Sequence, residues 1–119
     1  FTPINTLTET QADEKWFNRL NEIIQENISN TEFSVDQLTR SVNMSRTLLY
    51  AKVKAVTGLT PNEFIRLVRL RKAAEYLAGN EYKINEICYM VGFNSPSYFA
   101  KCFQNQFGVL PKDFINNTN

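Results

Sequence analysis

The sequence predicts an all-α fold: two helix-turn-helix subdomains, homeodomain-like three-helical units, joined by a long linker helix. Three observations carry this. Apolar residues recur at three- and four-residue spacing between recognisable helix starts and stops. Nothing alternates with period two for long enough to make a strand. The second half of the chain also repeats the first at a nearly fixed offset. A chain of 119 residues, 43% hydrophobic, suits one compact domain or two small subdomains sharing an element.

The opening FTPINTLTETQA, residues 1–12, is polar and aperiodic and reads as a tether. Because the chain starts with Phe1 and not Met, the expectation is a piece cut from a larger protein whose sensor part lies elsewhere. A lead-in helix is expected within 13–33, with Trp16, Phe17, Leu20, Ile23, Ile24 and Ile28 on one face and Asn30–Thr31 ending it. The first helix-turn-helix is expected over 34–60. Ser34 and Gln37 have capping-box spacing, and Val35, Leu38 and Val42 form the buried stripe. After a turn at Asn43-Met44, Ser45 caps a second helix. Leu48, Leu49, Val53 and Val56 are expected on its inner face, and Gly58 stops it.

The linker helix is expected over 61–79. Thr60 and Glu63 form another capping box, Pro61 takes the first helical position, and Gly79 is the stop. The second helix-turn-helix and a terminal helix fill 80–119. A short helix runs from Ile84 to Val91 and ends at Gly92. Ser95-Pro96 opens the next, which ends at Gly108, and a last helix starts near Pro111. Phe93, Phe99, Phe103 and Phe107 are assigned to the core.

The repeat aligns Val35, Leu38 and Val42 with Ile84, Ile87 and Val91, each 49 residues on. One extra turn residue, Asn94, makes the offset 50. Ser45 then pairs with Ser95, Leu49 with Phe99, Val53 with Phe103, and Gly58-Leu-Thr-Pro61 with Gly108-Val-Leu-Pro111. Short helix, tight turn and longer helix is the pattern that places a polar second helix in the major groove. Repeated hairpins that only pack against each other share it, so the polar faces must separate the two readings. On the first reader the outward residues are Arg46, Thr47, Tyr50, Ala51 and Lys54. On the second they are Pro96, Ser97, Tyr98, Ala100, Lys101 and Gln104. Neither set contains a carboxylate, as a phosphate-lined groove requires. The 18 residues from Pro61 to Ala78 span about 27 Å as a helix, against about 34 Å between adjacent major grooves on one face of the duplex.

Charge agrees with this. Up to Met44 there are three basic and seven acidic residues; from Ser45 there are ten and five, although the net charge is only +1. A basic half fits a polyanion partner, as it fits a solvated surface. Arg66, Arg69, Arg71 and Lys72 either touch phosphate or solvate the linker helix, and Arg69 has the further option of a structural salt bridge. Tyr50 and Tyr98 either meet DNA or pack on their own helices. Without histidine, and with only Cys88 and Cys102, the chain lacks the ligands of an ordinary zinc site and the parts of a Ser-His-Asp or Cys-His nucleophile system. The two cysteines read as buried thiols. No catalytic residues, cofactor or metal are expected, and no segment is apolar and long enough to span a membrane.

The stretches MSRTLLYAKVKAVTG, TPNEFIRLVRLRKAAEYL and INEICYMVGFNSPSYFAKCFQNQFGVLPKDF resemble the DNA-binding domain of AraC/XylS transcription regulators over roughly two-thirds of the chain. The resemblance implies sequence-specific binding to double-stranded promoter DNA, recognition helices in successive major grooves, and activation through RNA polymerase. It places base reading on Arg46, Thr47, Tyr50 and Ala51, and on Pro96, Ser97, Tyr98, Ala100 and Lys101. Two departures stand out: Ala51 replaces a frequent arginine, and Lys83 replaces a Ser or Thr cap. DEKWFNRLNEIIQENI before this region resembles the lead-in of output domains of hybrid two-component proteins. That likeness implies a phosphorelay-controlled module on the cytoplasmic side and a parent that senses a nutrient such as a sugar. Holding two readers, the module is expected to be able to bind as a monomer, with dimerisation supplied by the missing part. The alternative reading is a helical protein-interaction module that has lost DNA binding.

Overall fold

The computed structural model describes residues 11–118, with side chains described for 12–115. Most of the expected tether therefore lies outside the described residues. Within them there are helices and turns and no strand: α1 (Gln11–Glu26), α2 (Val35–Val42), α3 (Arg46–Thr57), α4 (Pro61–Gly79), α5 (Ile84–Met90), α6 (Pro96–Phe107) and α7 (Pro111–Thr118). The chain divides into two compact units. One holds the described residues up to Asn27 together with Phe33–Arg66; the other holds Ile28–Glu32 and everything described from Leu67 onward.

In the first unit α1 packs on α2, and α2 on α3. Leu20, Ile23, Ile24, Phe33, Val35, Leu38, Leu49, Val53, Phe64 and Ile65 are buried. Phe17 lies 5.4 Å from Phe64, ring centre to ring centre. Trp16 donates its indole N–H to Met44 Sδ at 3.2 Å, which fastens α1 to the α2–α3 turn. The second unit is built on a core of Leu70, Ala73, Leu77, Ile87, Cys88, Val91, Phe93, Phe99, Cys102 and Phe103. Its aromatic rings form a run, with neighbouring centroids 5.2 Å apart for Phe93–Phe99, 5.9 Å for Phe99–Phe103 and 4.6 Å for Phe103–Phe107. Both cysteines are free and buried, and burial raises the Cys88 thiol pKa.

Two expectations about elements need correction. The lead-in helix ends at Glu26, not at Asn30–Thr31. Asn27 turns its side-chain amide back onto the Ile23 carbonyl at 2.9 Å, capping the last turn. Ile28, expected on the helix face, lies past its end and packs against the second unit's core. The long helix runs to Gly79, and Asn80 after it takes the left-handed conformation (φ 55°). Leu48 does not face inward: it is 60% exposed, the physical consequence of adjacent helix residues pointing about 100° apart when Leu49 is fully buried.

Helix starts follow local chemistry. Ser34 N–H donates to Gln37 Oε1 at 2.9 Å, and Thr60 N–H to Glu63 Oε1 at 2.9 Å. The hydrogen bond from the Thr60 backbone holds the Glu63 carboxyl below its usual pKa. Lys83 has no acceptor to offer, yet the start of α5 is half secured because Glu86 Oε1 accepts from the Lys83 N–H at 2.8 Å.

Candidate nucleic-acid interface

The two helix-turn-helix units superimpose in their hydrogen-bonding detail. In the first turn Asn43 has φ 55°, its N–H donates to the Arg40 carbonyl at 3.3 Å, and Met44 N–H donates to the Thr39 carbonyl at 3.1 Å. In the second, 49 residues on, Gly92 has φ 92°, its N–H donates to the Tyr89 carbonyl at 3.1 Å, and Phe93 N–H to the Cys88 carbonyl at 3.0 Å. Each reader helix then opens on a serine. Ser45 Oγ accepts from Leu48 N–H at 3.1 Å, and Ser95 Oγ from Tyr98 N–H at 3.2 Å. Each closes on a left-handed glycine, Gly58 (φ 79°) and Gly108 (φ 82°), whose N–H reaches Lys54 O and Gln104 O at 2.8 Å. Buried residues a turn apart hold each helix down: Leu49 and Val53 on α3, Phe99 and Phe103 on α6, all at 0% exposure, with Cys102 also buried on α6.

This anchoring leaves the opposite side of each helix open. On α3, Arg46, Thr47, Ala51 and Lys54 are exposed and Tyr50 is half-buried. Arg46 is already oriented: Nη1 pairs with Asp36 Oδ1, and the guanidinium carbon lies 5.4 Å from the Tyr50 ring centre. On α6, Ser97, Tyr98 and Lys101 are exposed, while Pro96 and Ala100 are half-buried. Tyr98 does two things, since it is 49% exposed yet its ring lies 6.0 Å from Phe93. The proposed readers of each copy thus share one helix face within their own unit.

Two residues outside the expected set belong to this description. Leu48 is exposed beside Ala51, at the position equivalent to Tyr98 fifty residues on. That equivalence was the signal in the sequence that it faces outward. Asp36, on α2, holds Arg46; nothing in its spacing announces that role.

The basic stretch from Arg46 to Lys72 is not one surface. Lys52 pairs with Asp13 Oδ1 at 3.3 Å and lies 4.6 Å from the Trp16 ring centre. Lys72 pairs with Glu75 at 3.4 Å. Arg69 is 7% exposed, so neither phosphate contact nor the alternative of a salt bridge describes it. Its guanidinium donates to the Val91 carbonyl at 3.2 Å and the Asn30 carbonyl at 3.1 Å. Burial lowers its pKa, but an arginine remains charged. It ties the segment after α1 to the end of α5 within the second unit. Gly92 makes room for it: a Cβ there would lie 1.5 Å from Arg69 Nη1 and 2.4 Å from the Ile28 carbonyl oxygen.

Comparison with known proteins places this architecture. A helix-turn-helix domain family matches residues 38–117. A protein named histidine kinase P4 from Formosa agariphila is 41% identical over 92% of this chain, which covers 8% of that protein. The HTH-type transcriptional regulator MtrA of Neisseria gonorrhoeae is 34% identical over 81% of this chain, covering 33% of the regulator. The C-terminal domain of AraT, a response regulator from Geobacillus stearothermophilus, matches with a TM-score of 0.78 and 26% identity, over 86% of this chain and 84% of that domain. The chain spans less than half the length of the curated relatives it matches. With the repeated turns, the serine-capped readers and these matches together, the chain belongs to the AraC-type helix-turn-helix DNA-binding domains of transcription regulators.

Proposed function

We propose that this chain is the DNA-reading output module of a hybrid two-component protein. It binds double-stranded promoter DNA sequence-specifically, with α3 and α6 each entering a major groove. Arg46, Thr47, Tyr50, Ala51 and Lys54 serve the first reader; Pro96, Ser97, Tyr98, Ala100 and Lys101 serve the second. The observation that carries this is the pair of serine-capped helices whose exposed faces hold no carboxylate along their whole length. A helix N-terminus favours phosphate, and a cation beyond the first turn adds to it. The two-component setting is supported by the relative named a histidine kinase and by the response regulator whose C-terminal domain shares the fold. In that setting the parent's phosphorelay controls the module from the cytoplasmic side, dimerisation lies in the parent, and activation proceeds through contact with RNA polymerase.

The test is binding-site selection from random duplexes, followed by a salt titration on the selected site. Affinity is expected to fall steeply and linearly on logarithmic axes, as it does when several phosphates are neutralised. Retention of no duplex at low salt would leave the other reading, a helical protein-interaction module that has lost DNA binding.

A further inference from the structure

The largest exposed apolar side chain on either reader is Leu48, at 60% exposure, in the first turn of α3. Its position is fixed by its own backbone, whose N–H is held by Ser45 Oγ at 3.1 Å. Three and seven residues on, Ala51 and Ala55 are also exposed, so α3 carries an apolar flank, bordered by Lys52, whose ammonium is held by Asp13 and lies over the Trp16 ring. The other flank of the same helix is polar, with Arg46 lying over Tyr50 and held by Asp36. The equivalent flank of α6 is Tyr98, Lys101 and Asn105, all exposed and all able to hydrogen-bond. One reader therefore has no hydrogen-bonding group where the other has three.

An apolar edge at the start of a groove-reading helix matches one feature of the duplex: the C5-methyl group of thymine, the apolar mark on the major-groove edge. We propose that Leu48 with Ala51 is a thymine-methyl-reading edge. The first half-site then carries thymine where this flank enters the groove, and Leu48 is a specificity-determining residue. Leu48 and Ala51 cannot make the guanine contacts of arginine or lysine, and Lys52 beside them is held by Asp13. Exposure of Leu48 in the free domain leaves its apolar surface to be covered on binding. The inference rests on the DNA-reading function proposed above.

Deoxyuridine substitution tests it, because replacing thymine by uracil removes the methyl and keeps the base pair. In the selected duplex each thymine is replaced in turn, and binding by the chain and by Leu48→Ser is compared. One or two replacements are expected to weaken the chain's binding by about fourfold each, the size of one buried methyl. Leu48→Ser, at a position too exposed to matter for folding, is expected to weaken binding to the thymine duplex and to remove that methyl dependence. Penalties elsewhere in the site should be the same for both proteins. Tight binding with no thymine whose methyl effect disappears in Leu48→Ser overturns the proposal alone. Failure to bind any duplex overturns the DNA-reading function and the proposal with it.

Discussion

The two helix-turn-helix units share a pattern of backbone hydrogen bonds and differ in the side chains of their cores and exposed faces. Turns, caps and stops agree to within a few tenths of an ångström in their hydrogen bonds. Yet the first unit is held largely by aliphatic side chains and the second by a run of phenylalanine rings. At the left-handed turn position the first uses Asn43 and the second Gly92. The faces proposed to read DNA diverge as well, apolar beside Ala51 and hydrogen-bonding around Lys101. Local hydrogen bonds specify the unit, and they leave both its filling and its reading surface free to change.

The largest test of that comparison is in the cores. Val53 and Phe103 occupy equivalent, fully buried positions. Phe103 touches Phe99, Phe107 and Phe114. Phe103→Ala is expected to lose about 3–5 kcal/mol of stability in urea unfolding, and Val53→Ala about 2 kcal/mol, since fewer atoms leave a smaller cavity. Equal losses would show that the aromatic run contributes no more than the aliphatic packing opposite it in the repeat.

Next come the turns. Gly92→Ala places a methyl against a guanidinium and a carbonyl oxygen, the second of which belongs to the backbone. A loss of about 3 kcal/mol is expected, against about 1 kcal/mol for Asn43→Ala, which only forgoes the ease with which asparagine takes a positive φ. Pairing Gly92→Ala with Arg69→Met should relieve part of the first loss and not all of it, because the Ile28 carbonyl oxygen stays 2.4 Å from the new Cβ. Full relief would mean that Arg69 alone requires the glycine.

Much of this fold is legible in the sequence. Ser45, Ser95, Gly58 and Gly108 mark their helices because capping is decided within four residues, and sequence displays that range directly. The repeat supplied the rest of the architecture. Three residues resisted for a common reason: their partners are remote in sequence or set by a neighbour's burial. Arg69 bonds carbonyls 22 and 39 residues away, so a basic helix was all the sequence displayed. Ile28 keeps apolar spacing with α1 but belongs to the second unit. Leu48 lost its inward place to Leu49, and only its alignment with Tyr98 hinted at it. The exposed faces proposed to read DNA are legible by residue type and by alignment of the two copies, whereas Asp36, which pairs with Arg46, is not.

The reading faces give the third test. Lys101→Ala removes an exposed cation from the second reader, and the first has Ala51 in its place. Loss of about 1–3 kcal/mol of binding is expected if Lys101 reads a base, with relaxed preference at one position. A phosphate role would instead weaken all sequences alike and reduce the salt slope by about one. Unchanged affinity and preference would remove Lys101 from the interface. Ala51→Lys, making the first reader resemble the second, should raise affinity for unrelated duplexes more than for the selected site.

The smallest expected effect concerns a helix start at which the copies differ in capping chemistry: Lys83 stands where the first copy has Ser34. Lys83 begins α5 with φ −75° and ψ 153°, within a few degrees of Ser45 at φ −71° and ψ 159°, where a serine hydroxyl does cap its helix. The backbone is therefore already placed for a cap that the lysine side chain cannot provide. Glu86 makes its half of the exchange, accepting from the Lys83 N–H. Lys83→Ser should supply the other half by accepting from the Glu86 N–H, and it also removes a cation from the positive end of the helix dipole. Stability is expected to rise by about 1 kcal/mol, close to what Ser45→Ala loses at the start of α3. If Glu86→Ala abolishes the gain, the two halves act as one box; if the gain persists, the hydroxyl caps α5 alone. No gain in either background would mean that backbone angles close to those of Ser45 are not enough to make a capped helix start.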